Sequence, residues 1–283
     1  MIKETHGHMT AILYESINEP GSTRCKIESN QALAHNSLIA HDQGGKPHSD
    51  WLGADTLDEF ETRLKFGWTE GADRLSTLAT KEIEIKSMRR RRVKSDQGDE
   101  LDMQAVWRGD MSRAWTLTRR ESRFGPRSVS IVCNLSCNWT QSAKDLFWRG
   151  AAALKLAEAL TNAGYNVAIY GATATKNIAT KGDFQIVQFV EIKAEDSPLD
   201  VSALAAIVAM PGFKRTRFHA GQVAAVDAAG KTSCEGLGSP APTLVAEGVK
   251  LLPMPQSAII QPPLMSKEAA QVWIDEALEA LEA

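Results

Sequence analysis

At 283 residues the chain exceeds the usual single-domain size yet is short for two large domains, and its 43% hydrophobic and 24% charged residues exclude wholesale disorder. A formal net charge of −3, from 32 basic and 35 acidic residues, excludes a globally basic nucleic-acid binder, so any such role has to be local. The start Met1-Ile2-Lys3-Glu4-Thr5-His6 lacks the apolar core of a signal peptide and no apolar run approaches bilayer-spanning length, so the cytoplasm is the expected compartment, with no membrane partner.

Residues 1 to 50 mix Gly, Asn, Ser, His and Lys and read as loops with one strand at Ala11-Ile12-Leu13-Tyr14. Asp55 is a candidate cap for a helix whose apolar positions are Leu57, Phe60, Leu64 and Trp68. Gly67 and Gly71 interrupt it before a second helix through Leu75 and Leu78. The run Arg89-Arg90-Arg91-Arg92 and the polar stretch Ser95-Asp96-Gln97-Gly98-Asp99-Glu100 mark the expected boundary. Residues 1–97 are then a smaller, partly helical extension, and residues 98–283 the main α/β domain. Leu101, Ala105, Val106 and Trp107 suggest a short helix, and Trp115 to Arg119 an extended segment.

Val129-Ser130-Ile131-Val132-Cys133 reads as a buried strand that breaks into the polar loop Asn134-Leu135-Ser136-Cys137-Asn138. A long helix follows from Ala143 to Ala163, with Leu146, Phe147, Ala151, Leu154, Leu156, Ala157 and Leu160 on its apolar side and Gly164 just beyond its end. A second strand at 165–170 completes a parallel strand, helix, strand crossover. Further strands are expected at 184–192 and 249–252, and helices at 201–209, 221–228 and 266–281, the last capped by Ser266. The alternation predicts an α/β fold with a doubly wound, mainly parallel sheet.

The four cysteines suit reduced thiols. Cys133 and Cys137 make one C-x3-C pair with no second pair to complete a zinc site, and the six histidines form no ligand pattern. There is no phosphate-binding loop, dinucleotide glycine fingerprint or nucleophile elbow. Ser136 and Ser142 lack an identifiable base, and His219 reads as a surface or loop-packing residue, so no catalytic set emerges. Trp148 and Trp273 fit burial on their helices, whereas Trp139 directly follows the polar loop and is a candidate interface anchor.

Ligands gather beyond the carboxyl ends of parallel strands, which is where residues 134–140 lie. The strand, Asn134-x-Ser136-x-Asn138, helix succession resembles the D-x-S-x-S segment of von Willebrand factor A (vWA) domains. Gly98-Asp99-Glu100-Leu101-Asp102, Val190-Glu191-Ile192-Lys193 through Pro198, and Pro211-Gly212-Phe213-Lys214-Arg215-Thr216 resemble, in order, segments of the vWA domain of the cobalt-chelatase subunit. Trp148-Arg149-Gly150-Ala151-Ala152 is similar to an uncharacterised phage and bacterial family. The likeness spans roughly residues 98 to 283.

The resemblance implies a Rossmann-like fold and a metal-ion-dependent adhesion site at Asn134, Ser136, Asn138 and Thr216. It also implies a partner that is an AAA+ ATPase. The site is degenerate: Asn134 stands where the family has Asp, Asn138 where it has the second Ser, and the expected strand 249–252 runs into Pro253-Met254-Pro255 with no Asp. Neutral oxygens offset the dehydration of a hard cation poorly, so no resident metal or cofactor is expected, weak Mg²⁺ binding staying open. The bland role for these residues is to satisfy backbone groups in a sharp turn.

Two functional readings follow. The first is a non-enzymatic interaction or adaptor module, of phage or mobile-element type, that binds another protein through residues 134–140, 173–176 and 214–217, with Trp139 as anchor. The alternative is a nucleic-acid-binding accessory protein in which Arg89, Arg90, Arg91 and Arg92, with Arg119 and Arg120, contact phosphates or an acidic partner. A stripe on one face would favour the second reading. Flanking acidic residues such as Glu82, Glu84, Asp96 and Asp99 favour local ion pairing instead.

Overall fold

The structure, a computed structural model, describes residues 1–22, 48–80, 90–95, 97–98, 100–120, 128–137, 141–177, 184–228, 241–255 and 257–282. Two compact units emerge: Met1–Glu82 with Ser128–Ala283, and Ile83–Arg127 between them in sequence. The expected division at residue 97 is therefore corrected. The N-terminal segment is no separate extension, because its two strands complete the main sheet.

That sheet has six strands. They are β1 (Ile2–His6), β2 (Met9–Tyr14), β6 (Ser128–Asn134), β7 (Asn166–Asn177), β8 (Phe184–Lys193) and β9 (Ile259–Ile260), in the order β1-β2-β8-β7-β6-β9. Pairs β2–β8, β7–β6 and β6–β9 are parallel, and β1–β2 and β8–β7 antiparallel. The fold is thus α/β with a mixed, largely parallel central sheet.

The apolar runs predict the central strands because both of their faces are covered. Every residue of β2 is buried, while exposed Lys3, Glu4 and Thr5 fit β1 to the edge. Met9, Ala11, Leu13, Val132, Ala172, Val187 and Phe189 pack with Val245, Val249 and Leu252 of the helix Pro242–Leu251 on one face. The helices Ala143–Asn162 (α6), Val201–Val208 (α7) and His219–Ala228 (α9) pack on the strands too, and Lys267–Glu282 (α11) packs on α6. In chain order the other helices are α1 (Glu19–Ser22), α2 (His48–Trp51), α3 (Leu57–Phe66), α4 (Thr69–Leu75), α5 (Met103–Trp107), α8 (Pro211–Phe213) and α10, the helix Pro242–Leu251.

Several local expectations hold, others do not. Helix α6 ends just before Gly164, whose φ of +77° suits glycine, and it begins with a Ser142/Asp145 capping box. Thr56, not Asp55, caps α3. Residues 249–252 close helix α10 instead of forming a strand: Pro242 sits at its first position, and Val245, Val249 and Leu252 recur at helical spacing. The strand that does pair beside β6 is the two-residue β9.

In the unit Ile83–Arg127, β3 (Arg90–Ser95), β4 (Glu100–Leu101) and β5 (Trp115–Arg120) form an antiparallel sheet in the order β3-β5-β4. Asp102 caps α5 by accepting from the Gln104 and Ala105 amides. Among the described residues, no helix is long and apolar enough to cross a membrane.

Candidate functional site

Strand β6 ends at Asn134, and the loop after it folds over the sheet and is not splayed into solvent. Leu135 donates to the Ala172 carbonyl at 2.7 Å, extending the pairing with β7 by one residue. Asn134 Oδ1 accepts from the Ser136 amide at 3.1 Å, the short-range bond that asparagine makes in tight turns. Ser136 Oγ accepts from the Ala174 amide at 3.1 Å and lies 3.4 Å from Thr173 Oγ1. Asn134, Ser136 and Thr173 are all buried. The oxygens of Asn134 and Ser136 thus serve backbone donors.

Residues 173–176 lie inside strand β7, so the expected loop there is corrected. Thr216 likewise lies in a helical segment and not in a loop. It is buried in a π-helical segment, Lys214–Phe218, and its hydroxyl donates to the Gly212 carbonyl at 2.7 Å, one turn back in its own helix. Asn138 and Trp139 lie outside the described residues, as does Arg89.

Beneath the loop is a residue of the Trp148-Arg149-Gly150-Ala151-Ala152 segment to which the sequence motifs assign no role. Arg149, on α6, is only 2% exposed, and its Nη1 donates to the Ser136 carbonyl at 2.5 Å while Nε has no hydrogen-bond partner. Burial pushes its pKa down, the Cys133 and Cys137 thiols oppose that shift, and the neighbouring Arg215 charge adds to it. Cys133 Sγ contacts Gln261 Oε1 at 3.2 Å, and Gln261 Nε2 donates to the Arg149 carbonyl at 2.8 Å. Gln261 follows β9 directly, so a neutral amide stands at the end of the strand next to β6. Burial pushes the Cys133 thiol up to about 12, which keeps it protonated and unreactive.

A second cation, Arg215, is fully buried with its guanidinium 4.3 Å from the centre of the Trp51 ring. It donates to the carbonyls of Asp50, Trp51 and Gln141, joining α2 to the lead-in of α6. Asp50 Oδ1 in turn accepts from the Ala143 amide at 3.1 Å, at the positive end of α6. Lys214, also buried, donates to Gln222 Oε1 at 3.1 Å.

His219 is buried in α9 and is not a surface or loop residue. Burial, with the Lys214 charge beside it, depresses its pKa to about 3. It is a neutral imidazole over the whole neutral range, and no hydrogen bond joins it to Ser136 or Ser142.

A hard divalent cation needs several oxygen ligands with anionic character. Among the described residues no three of His, Cys, Asp and Glu are grouped to hold a metal, and Arg149 holds a positive charge against the loop. These residues do not fit Mg²⁺.

The arginine sets belong to the other unit. Arg90, Arg91 and Arg92 are in β3 and Arg119 and Arg120 in β5, and the register sets Arg90 opposite Arg120 and Arg91 opposite Arg119. The expected boundary run is therefore a strand, paired with the second basic segment.

A family model described as "Domain of unknown function (DUF7192)" matches residues 6–282, which takes in both units and every candidate residue above. The chain belongs to the DUF7192 family. The match begins at the last residue of β1 and takes in β2 and the arginine sheet, so the DUF7192 region is not confined to residues 98–283. No curated protein and no solved structure matches the chain.

Of the two residues beneath the loop, Arg149 was readable in part and Gln261 was not. An arginine inside the apolar run Leu146-Phe147-Trp148-Arg149-Gly150-Ala151 is a signal, because helix positions facing a core rarely carry an unpaired charge. Gln261, flanked by short apolar residues and prolines, gives no such signal.

Proposed function

We propose that the chain is a non-enzymatic interaction module of vWA-like architecture that binds a protein partner without a metal ion, through the β6 loop and its continuation at Asn138 and Trp139. The observation that carries this reading is Arg149. A buried guanidinium on the Ser136 carbonyl puts a fixed positive charge under the loop, the segment that resembles the cation-binding one of vWA domains. In a low-dielectric interior such a charge projects toward the surface above it, which favours an acidic partner segment.

Other observations agree. The order β8-β7-β6-β9, with β6 and β7 joined by a helical crossover, suits a Rossmann-like plan with its loop edge beyond β6. The side-chain oxygens of Asn134, Ser136 and Thr216 have hydrogen-bond partners inside the protein, and among the described residues no nucleophile and base are paired there. The resemblance to the cobalt-chelatase subunit makes an AAA+ ATPase the first partner to try, with phage or mobile-element genes as the setting.

The test is recovery of partners from the native host on tagged protein, followed by titration with the purified partner. Trp139→Ala with Asn138→Ala is expected to lose that partner, and its affinity for the unmodified chain should be the same in Mg²⁺ and in EDTA. Full retention by the double variant, or loss of affinity in EDTA, contradicts the proposal.

A further inference from the structure

Charge is unevenly shared between the two units. Ile83–Arg127 holds twelve of the 32 basic residues against seven acidic ones, a net +5, and leaves −8 on the rest of the chain. Within it the antiparallel register sets Arg90 opposite Arg120, Arg91 opposite Arg119 and Arg92 opposite Thr118. Like charges directly opposite each other disfavour a ladder, and the register sets two successive arginine pairs opposite each other. An anion lying across the strands offsets that repulsion.

Alternation along the strands sorts these residues by face. Arg90, Arg92 and Lys94 of β3 share one face with Arg120, Thr118 and Thr116 of β5; Arg91, Val93 and Ser95 share the other with Arg119, Leu117 and Trp115. The first face is polar and basic along its length, and the second turns apolar beyond its arginine pair. On the first face Glu100 stands opposite Thr116, and Lys94 is bound by Asp102 at 2.6 Å. Acidic residues thus stand at that end, and the register places Arg90 and Arg120 at the other, with Arg92 between. The same unit leaves Trp107 82% exposed on α5.

We propose that the β3–β5 ribbon binds single-stranded nucleic acid, its phosphates along Arg90, Arg92 and Arg120 and a base stacked on Trp107. Guanidinium groups match phosphate oxygens as bidentate donors, and any base presents a face to an exposed aromatic ring. A single strand is favoured over a duplex because the aromatic group has work only where bases are unpaired. This inference concerns a different unit from the loop-edge reading and stands or falls separately.

The test is fluorescence anisotropy of labelled 20-nucleotide single-stranded DNA and RNA, and of a 20-base-pair duplex, with the full chain over a salt series. Three phosphate contacts predict a slope of log K against log salt of about −2, or about twentyfold weaker binding between roughly 50 and 200 mM. Arg90→Ala/Arg92→Ala/Arg120→Ala is expected to flatten the slope and cost more than about tenfold at the lower salt. Arg91→Ala/Arg119→Ala should keep both affinity and slope.

Arg90→Lys/Arg92→Lys/Arg120→Lys should also keep the slope, which separates lost charge from lost fold. Trp107→Ala should weaken single-strand binding by about tenfold with the slope unchanged. The proposal is overturned if the native chain binds no oligonucleotide, if the triple alanine variant binds like the native chain, or if the opposite-face pair matters as much. Preference for the duplex, or binding only to vesicles containing phosphatidylserine, overturns it equally.

Discussion

His219 gives the fold a built-in acid sensitivity whose size follows from its position. The imidazole is buried beside Lys214, and its pKa falls from 6.5 to about 3 on folding. The unfolded chain therefore binds a proton that the folded chain refuses between those two values. Stability from this group is fully present above pH 6.5, and is lost progressively as pH falls toward 3. For a single site, linkage puts the loss between pH 7 and pH 5 at about 2 kcal/mol. His219→Gln keeps a neutral polar side chain that does not titrate.

Urea unfolding of both proteins at several pH values within this range measures the effect, since every other titrating group is common to the two. The native chain should lose about 2 kcal/mol more than the variant between pH 7 and pH 5. Parallel stability curves would refute the buried, neutral imidazole.

Gly150→Ala is expected to lower the melting temperature. A Cβ there would lie 2.2 Å from the Val208 carbonyl oxygen, so α6 and α7 must separate, costing about 1–3 kcal/mol against about 1 kcal/mol of helix propensity gained; an unchanged melting temperature would contradict that approach. Ser142→Ala removes the hydroxyl of the capping box and should cost about 1 kcal/mol in denaturant unfolding. Arg149→Met should keep stability within about 1 kcal/mol, because a buried cation without a carboxylate partner contributes little, while partner binding falls. A stability loss above about 3 kcal/mol would make Arg149 a structural residue instead.

The crossover β6-α6-β7 was legible because its apolar residues switch period from strand to helix and Gly164 ends the helix. The direction of β8 was not, since an apolar run reads alike in parallel and antiparallel pairing. Residues 249–252 misled for a related reason: a short, mostly apolar run suits a buried strand or the end of a helix, and Pro242 seven residues earlier was the better guide. β1 was missed because its outer residues are exposed at the sheet edge, and β9 because two residues carry no period. At the site, Asn134 and Ser136 were readable as turn formers from their chemistry alone. The burial of Arg149 was legible only in part and that of Arg215 not at all, because contacts between α6, α2 and the segment Lys214–Phe218 depend on tertiary packing.

Calorimetric titration of Mg²⁺ and Mn²⁺ into the unmodified protein tests the metal-free reading most directly. With neutral donors and a guanidinium at the β6 loop, no binding heat is expected at millimolar cation. The double change Asn134→Asp with Asn138→Ser should raise affinity by restoring anionic oxygen, the missing later carboxylate limiting the gain. Micromolar binding by the native chain that Ser136→Ala abolishes would contradict the account.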